Sequence, residues 1–349
     1  MAVSTDTWLD LADAPSIDGL RFRRPRRDAA EYEALAELIG VASRADDIPW
    51  FPSGAMLRDE WEDDPAVFDP GSDGIVAEVV GRLVAVAGTD RALRVGRPVY
   101  QAWGHVGPAW RRRGIGRAVL RENLRRANER AVTLGDIAAR GRAEVRSLAG
   151  EAEPGHQAIL TAAGMVPIRW IFLMLRPTLD DIPDTPLPTG IELRPVEPDQ
   201  HRALILAEHE AFRDHWEHRD FSEAGFTALF ERSELDTSLW VAAWDGDEIA
   251  GVVQSWIWAD ENERLGVQRG WLERISVRRP WRRRGLGRAI TAEALRRLRT
   301  AGLADAMLGV DADNPTGALG LYAGMGFEVA QRSIIYGRPA PDSGGPVAS

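Results

Sequence analysis

Apolar and polar positions fall into short period-two runs separated by longer runs of helical period, and the order of these runs occurs twice. In the second half, 191–196 reads as a strand, 199–212 as an amphipathic helix, and 222–232 as a helix opened by a Ser222 cap. Residues 239–244 and 248–258 predict a hairpin across Asp245-Gly246, a strong turn pair. A strand at 271–277, a helix at 286–300, a strand at 306–310, a helix at 315–324 and a strand at 327–336 complete the set. The first half repeats the order: strand 20–24, helix 29–40, hairpin 75–79 with 83–87, strand 99–106 and helix 116–134. Strands mixed with crossover helices predict an α/β fold, with a mixed sheet of the α+β kind, in each half. Between them, 177–190 carries four prolines among acidic and small residues, which bars a helix or central strand and predicts an extended linker or a surface strap. The expected organisation is a domain at 1–176, a linker at 177–190, a domain at 191–338 and a flexible tail at 339–349. The N-terminal stretch through Pro15 is expected to be mobile as well.

The duplication is also literal. Val106-Gly-Pro-Ala-Trp110-Arg-Arg-Arg-Gly114-Ile-Gly116-Arg-Ala118 matches Val277-Arg-Arg-Pro-Trp281-Arg-Arg-Arg-Gly285-Leu-Gly287-Arg-Ala289, with the same offset at every matched position from Val106/Val277 to Ala118/Ala289. Internal repeats of this kind mark a duplicated domain. The length of 349 residues fits two domains of ordinary size.

Composition removes several chemistries. Cysteine is absent, which excludes disulfide scaffolds, thiolate zinc sites and cysteine nucleophiles, and fits a reducing cytoplasm. All 43 cationic residues are arginine, so no lysine is present for Schiff-base chemistry. A net charge of −10 opposes nucleic-acid binding, and no basic patch is interleaved with aromatics. No apolar run approaches the ~20 residues needed to span a bilayer, and the acidic N-terminus is unlike a signal peptide. The expectation is a soluble cytoplasmic protein with no nucleic-acid or membrane partner, a monomer or a homodimer.

The candidate chemistry lies in the repeated turn. A strand ends at Val277, Pro280-Trp281 turns the chain, and Arg282-Arg283-Arg284-Gly285-Leu286-Gly287-Arg288 leads into a helix. The first helical turn has amide N–H groups without intrahelical partners, and its dipole favours an anion. Glycines at 285 and 287 hold nothing between those amides and a phosphate, and the arginines add charge-assisted donors. The turn is not a Walker loop, which requires a lysine. Arg282-x-x-Gly285-x-Gly287 resembles the acetyl-coenzyme A loop of the Gcn5-related N-acetyltransferases (GNAT). It is joined by Asn314-Pro315, Leu321-Tyr322 and Gly324-Met-Gly326-Phe327, similar to that family's C-terminal signature. The tandem layout with a Pro-rich linker is similar to the mycothiol synthases.

The resemblance implies two tandem acyl-CoA N-acyltransferase domains. It implies that pantetheine of acetyl-CoA lies in a gap beside the strand, bonding backbone at Ile275, Ser276 and Val277. The pyrophosphate then meets residues 282–288, and Asn314 belongs to the cofactor side. Acetyl transfer to an amine needs a base, an oxyanion donor and an acid for the thiolate. Tyr322 stands where the family places its general acid, and Trp271-Leu-Glu273-Arg is similar to the Tyr-Leu-Glu-Asp of polyamine acetyltransferases, whose Glu is a proposed base. Even spacing predicts Glu273 on one strand face with Ile275 and Val277. The alternative for Glu273 is a structural carboxylate paired with Arg274 or Arg282.

In the first half Ala102 and Leu160 stand where Glu273 and Tyr322 stand in the second, so that half is expected to be non-catalytic. Its loop survives as Arg111-Arg112-Arg113-Gly114-x-Gly116, a candidate coenzyme A site, and His105 is an alternative base or a structural histidine. For the acceptor, the segment 208–221 with His215 and Trp216, together with Trp258, suits a cationic amine through charge and cation–π contact, or is a solvated helix end. Trp256 and Trp258 line the same pocket or fill the core. His209, His215 and His218 have no recognised metal spacing, and no metal is expected. The expected activity is transfer of acetyl from acetyl-CoA to a primary amine, polycationic or aminoglycoside-like. Alternatives are a mycothiol-synthase-like acceptor, a cysteinyl glycoside, or a non-catalytic acyl-CoA sensor. The mycothiol synthases usually place Glu at the position where this chain has Trp271.

Overall fold

The computed structural model describes residues 8–48, 50–94, 97–136, 143–216, 218, 221–232, 234–313 and 317–340. The first half comprises β1 (Trp8–Leu9), β2 (Leu20–Arg23), α1 (Ala29–Ala45), α2 (Gly54–Asp63), α3 (Pro70–Asp73), β3 (Gly74–Val79), β4 (Arg82–Arg94), β5 (Arg97–Val106), α4 (Ile115–Thr133), β6 (Glu144–Gly150), α5 (Pro154–Ala162) and β7 (Val166–Arg176). The second comprises β8 (Ile191–Arg194), α6 (His201–Ala211), α7 (Glu223–Phe230), β9 (Val241–Asp245), β10 (Glu248–Trp256), α8 (Ala259–Leu265), β11 (Arg269–Val277), α9 (Leu286–Thr300), β12 (Asp305–Asp311), α10 (Ala318–Ala323) and β13 (Glu328–Pro339). The caps follow the local chemistry: Asp28 accepts from Glu31 N–H at the start of α1, and Ser222 from Gly225 N–H at the start of α7.

Two compact units result, one of residues 1–169 with 333–349 and one of residues 170–332. In unit 1, β1 to β5 pair antiparallel in sequence order, β6 joins β5 in parallel, and residues 333–339 pair antiparallel with β6. In unit 2, β8 to β11 follow the same antiparallel order, β12 joins β11 in parallel, and residues 171–176 pair antiparallel with β12. Each unit therefore takes its last strand from the other half of the sequence, and the compact units cut the chain elsewhere than the expected 1–176 and 191–338. The mobile ends shrink too. Leu11 is buried under unit 1, and Ala340, beyond the last strand, is buried with its N–H bonded to Ala143.

The Pro-rich segment is a strap on unit 2. Leu179 is buried and bonds Ala304 through its N–H, while Ile182 and Leu187 pack on the core. It has a counterpart in unit 1: Leu11, Asp13, Pro15 and Gly19 precede Ile182, Asp184, Pro186 and Gly190 by the same offset that relates the two arginine turns. Both glycines have positive φ, 73° and 86°, and the two aspartates pair with Arg121 and Arg296 on the helices below. The duplicated unit thus begins before its first long strand.

The core of unit 2 lies between the apolar stripe of α9 (Ile290, Ala294, Leu295, Leu298) and the sheet residues Val241, Ala243, Val253 and Leu272. In unit 1, Ile115, Ala118 and Val119 of α4 cover the sheet on one side, and Tyr32, Trp61 and Phe68 fill the other with Trp103 packed against them. Gly88 makes room for that aromatic cluster, since a Cβ there would sit 2.5 Å from Trp103 Cζ2. Asp90 accepts from Trp103 Nε1 at 2.9 Å, and desolvation outweighs this bond, pushing its carboxyl up to about 6. No helix among the described residues is long and apolar enough to cross a membrane.

Because the folded carboxyl is raised above its unfolded value of 3.8, unit 1 loses stability as pH rises from about 4 to about 6. Asp90→Asn keeps the indole bond and removes the charge. It is expected to raise unfolding free energy by about 1–2 kcal/mol at pH 8 and to leave it unchanged near pH 3, read by urea denaturation.

Candidate functional site

The site in unit 2 begins where two parallel strands part. β11 pairs with β12 only through Arg269 with Asp305, Gly270 with Ala306 and Trp271 with Met307, after which β12 continues along residues 171–176. From Leu272 to Val277 the β12-facing edge of β11 is therefore unpaired among the described residues, a row of backbone donors and acceptors without a strand partner. The same parting occurs in unit 1, where β5 and β6 pair only from Val99 with Glu144 to Gln101 with Arg146.

Beyond Val277 the turn forms as expected. Gly285 (φ 85°) caps α9 without a side-chain acceptor, leaving the amides of the first turn free, and Arg283 (φ 61°) is held in the left-handed region. A Cβ on Gly285 would meet nothing within 4 Å, so the turn faces open space. Gly287 is needed for packing, since a Cβ there would lie 3.3 Å from Leu321 Cδ1 and 3.6 Å from Val277 Cγ2. Leu286 is buried in the core, while Arg283, Arg284 and Arg288 are exposed and have no carboxylate partner among the described residues. Arg288 lies against Gly324, where a Cβ would come within 2.5 Å of its Nη2.

Arg282 does something else. Its Nε donates to Val277 O at 2.9 Å, Nη1 to Asp214 at 2.6 Å and Nη2 to Ala211 O at 2.7 Å, so it clamps the strand end to the end of α6. Arg111 makes the same clamp in unit 1, donating to Val106 O at 3.0 Å and to Asp46 at 2.5 and 2.7 Å. These two guanidiniums are engaged with protein and position the loop; only their backbone is available to a phosphate. In unit 1, Arg112 (φ 57°) and Gly114 (φ 91°) repeat the turn, Arg113 lies over Trp110, and Gly116 packs on Ile159 and Val106 as Gly287 does on Leu321 and Val277.

Ile275 and Val277 face the core, and Ser276 on the other side donates its hydroxyl to Val252 O at 3.1 Å. Glu273 does not share their face. The β10–β11 ladder slips from Gln254 with Arg274 to Ser255 with Leu272, leaving Glu273 in a β-bulge and turning Leu272, not Glu273, toward the core. Neither Arg274 nor Arg282 pairs with it. Arg274 reaches Glu208 and lies over Phe212, and Glu273 instead accepts from Trp258 Nε1 at 3.3 Å. Glu273 keeps a face in solvent yet is crowded enough that desolvation raises its carboxyl above the ordinary range, against the smaller pull of Trp258. Tyr322 on α10 is 8% exposed, and its desolvated hydroxyl is raised above the ordinary phenol range.

The acceptor candidates fall into two groups. Trp258 stacks on Trp256 with centroids 5.2 Å apart beside Glu273, while His215 stands on the ring of Phe212 with Trp216 next in sequence. Asn314 lies outside the described residues. The sequence reading passed over Glu261 on α8, which accepts from Trp271 Nε1 at 3.1 Å and lies close enough to Glu273 for their charges to repel. The acid-rich start of that helix, Asp260-Glu261 after Trp258, was its only signal.

In unit 1 the β4–β5 ladder runs without a slip from Ala85–Val106 to Arg94–Arg97, so it has no bulge at the matching place. Leu160 accepts from Met165 N–H as Tyr322 does from Phe327 N–H, which fixes the two as counterparts. His105 stacks on Trp50 with centroids 5.7 Å apart, and burial lowers its imidazole to about 4.

Arg282→Gln is expected to lower unfolding free energy by about 1–3 kcal/mol, whereas Arg283→Gln and Arg284→Gln change it by less than about 0.5 kcal/mol, measured by chemical denaturation.

Residues 202–327 match the model of the acetyltransferase (GNAT) family. A mycothiol acetyltransferase of Salinispora arenicola is 30% identical over 321 residues, covering 90% of this chain and 96% of that protein. The GCN5-related N-acetyltransferase structure from Sphaerobacter thermophilus superposes with a TM-score of 0.75 at 25% identity, over 95% of this chain and 99% of that one. A tandem GNAT protein from the clavulanic acid biosynthesis pathway gives 0.65 at 20% identity, over 93% and 99%. With the parted strands and the bare turn in both units, these likenesses make the chain a tandem member of the GNAT acetyltransferases, and so an N-acetyltransferase.

Proposed function

We propose that unit 2 transfers acetyl from acetyl-CoA to a primary amine of a small molecule by direct attack, and that unit 1 does not catalyse. The observation that carries this is the unpaired edge of β11, which leads from the free amides and arginines of the turn to Glu273 and Tyr322. A pantetheine arm can bond that edge as an added strand would. The amides at Gly285, Leu286 and Gly287 with Arg283, Arg284 and Arg288 suit a pyrophosphate.

The amine nitrogen attacks the thioester carbonyl and loses a proton to Glu273, directly or through water. The β-bulge leaves backbone N–H outside the ladder beside Glu273, in reach of a developing oxyanion. As the carbon–sulfur bond breaks, Tyr322 gives its proton to the thiolate, and its raised pKa keeps that proton in place until then. Unit 1 lacks each part: Ala102 and Leu160 carry no proton, its ladder has no bulge, and Trp103 packs among Trp61 and Phe68 beside that strand. A second reading follows the name of the relatives, with a mycothiol-type acceptor. It is favoured by the likeness over nine-tenths of the chain, and opposed by Trp271, which stands where the resemblance implies a Glu.

Free-thiol release with a panel of amines and a cysteinyl glycoside tests both readings. Tyr322→Phe is expected to lower kcat by about 10²–10³. Since Glu273 acts ionised and its carboxyl is raised, kcat/KM should climb with pH through a limb above the ordinary Glu range, and Glu273→Gln should abolish that limb. Wild-type turnover in the double variant would overturn the assignment.

A further inference from the structure

We propose that Trp258 is a positioning residue for Glu273: its indole N–H, delivered by a helical insertion of unit 2, holds one oxygen of that carboxylate in place. The catalytic meaning of this hold rests on the acetyl-transfer reading above. Trp258 Nε1 donates to Glu273 Oε1 at 3.3 Å, and Glu273 accepts from no other side chain among the described residues. The bond engages Oε1 and leaves Oε2 to meet the amine or a bridging water.

The donor arrives on a segment that the first unit does not share. In unit 1 the β4–β5 ladder runs on to Arg94 with Arg97, so a connection of two residues joins those strands. In unit 2, β10 ends at Trp256, β11 begins at Arg269, and α8 fills the interval. Three hydrogen bonds fix this insertion. Asn262 N–H donates to Trp258 O at 2.9 Å, Asn262 Nδ2 to Arg269 O at 2.9 Å, and Trp271 Nε1 to Glu261 at 3.1 Å. The Trp258 ring also lies nearly flat on Trp256, with centroids 5.2 Å apart and an interplanar angle of 12°. Trp256 is itself buried and pairs with Trp271 at the end of the β10–β11 ladder. An indole held both on its face and through its backbone loses little further freedom when its N–H binds.

The acceptor needs such a hold. Glu273 stands in the bulge, outside the ladder that orders its neighbours. Desolvation is the largest influence on its carboxyl and disfavours the charge; the Trp258 bond is the next and favours it. Arg274 on the same strand and Arg232 just beyond α7 also favour the ionised form, while Glu261 on α8 opposes it. An uncharged donor suits a base better than a direct guanidinium pair, which would lower its affinity for the proton it must take. The insertion and the carboxylate also go together: unit 1, with the short connection, carries Ala102 at the matching place.

The test titrates Glu273 in the full-length chain by NMR, with isotope at the glutamate carboxyl carbons and the resonance assigned by its loss in Glu273→Gln. Trp258→Phe keeps a ring on Trp256 and removes the donor. Because the donor stabilises only the ionised form, its loss is expected to move the Glu273 titration to higher pH and to leave the other resolved glutamates where they are. Free-thiol release with 1,5-diaminopentane and saturating acetyl-CoA is followed alongside. On the acid limb kcat/KM should fall about three- to tenfold, and on the alkaline plateau it should stay within about twofold of wild type with KM unchanged. An unmoved Glu273 titration overturns the proposal, and an equal loss of kcat/KM at every pH beside it would mark Trp258 as an acceptor contact. A titration that moves as expected, with a kinetic limb that survives Glu273→Gln, upholds the hold on the carboxylate and counts against Glu273 as the base instead.

Discussion

Everything at the site depends on two parallel strands that agree over a short stretch and then part. Parallel pairing holds β11 to β12 through Trp271, and the partner that β12 takes on its other side, residues 171–176, lets it run on without β11. Were the ladder to continue to Val277, every donor and acceptor on that edge would be satisfied internally and nothing could lie there. The cost of an open edge is an invitation to pair with another chain. Here a helix follows at once, with its bare N-terminus next to the open edge, so the edge leads to a helix start and not to a flat, extendable surface.

The two units share this skeleton down to single hydrogen bonds. Arg111 and Arg282 clamp the strand end to the first long helix, and Gly116 and Gly287 admit Ile159 and Leu321 at nearly the same distance. What differs is what stands beyond the skeleton. In unit 2 a bulge turns Glu273 out of the ladder and α8 brings Trp258 and Glu261 over it. In unit 1 the ladder is continuous and aromatic side chains fill the adjoining space. Duplication preserved the frame that folding requires, while a carboxylate and a phenol at the positions of Ala102 and Leu160 stand only in unit 2.

Much of this was legible from the chain. The turn could be read because glycines, arginines and a strand-to-helix change coincide between Val277 and Ala289 and recur between Val106 and Ala118. Helix 286–300 was expected and observed at those limits, since its apolar stripe is unbroken. The strap could be recognised as extended, though not as the start of the repeat, because prolines report backbone and not packing. Three things were hidden for a common reason. The bulge at Glu273 breaks a period-two rule that assumes an uninterrupted ladder. The placement of residues 171–176 and 333–339 in opposite units is a matter of which chain segment fills an identical slot. The role of Arg282 depends on Asp214, which lies before the whole β9–β11 meander in sequence. Each depends on partners distant in sequence, and local pattern carries no information about them.

The arginine clamp explains why the loop can be rich in cations yet leave some of them free. Three consecutive guanidiniums would repel one another unless one were neutralised. Asp214, whose carboxyl is held well below the usual range by Arg279 and Arg282, neutralises the first and anchors it away from the turn. Without it Arg282 would keep only its two backbone acceptors, Val277 O and Ala211 O, and its charge would go unneutralised beside the remaining arginines. With the clamp in place, Arg283 is held in a left-handed conformation that leaves the turn open above Gly285. A carboxylate just beyond α6 thus fixes the first arginine of the turn, and its counterpart Asp46 does the same for Arg111, which is why the loops of the two units share one form.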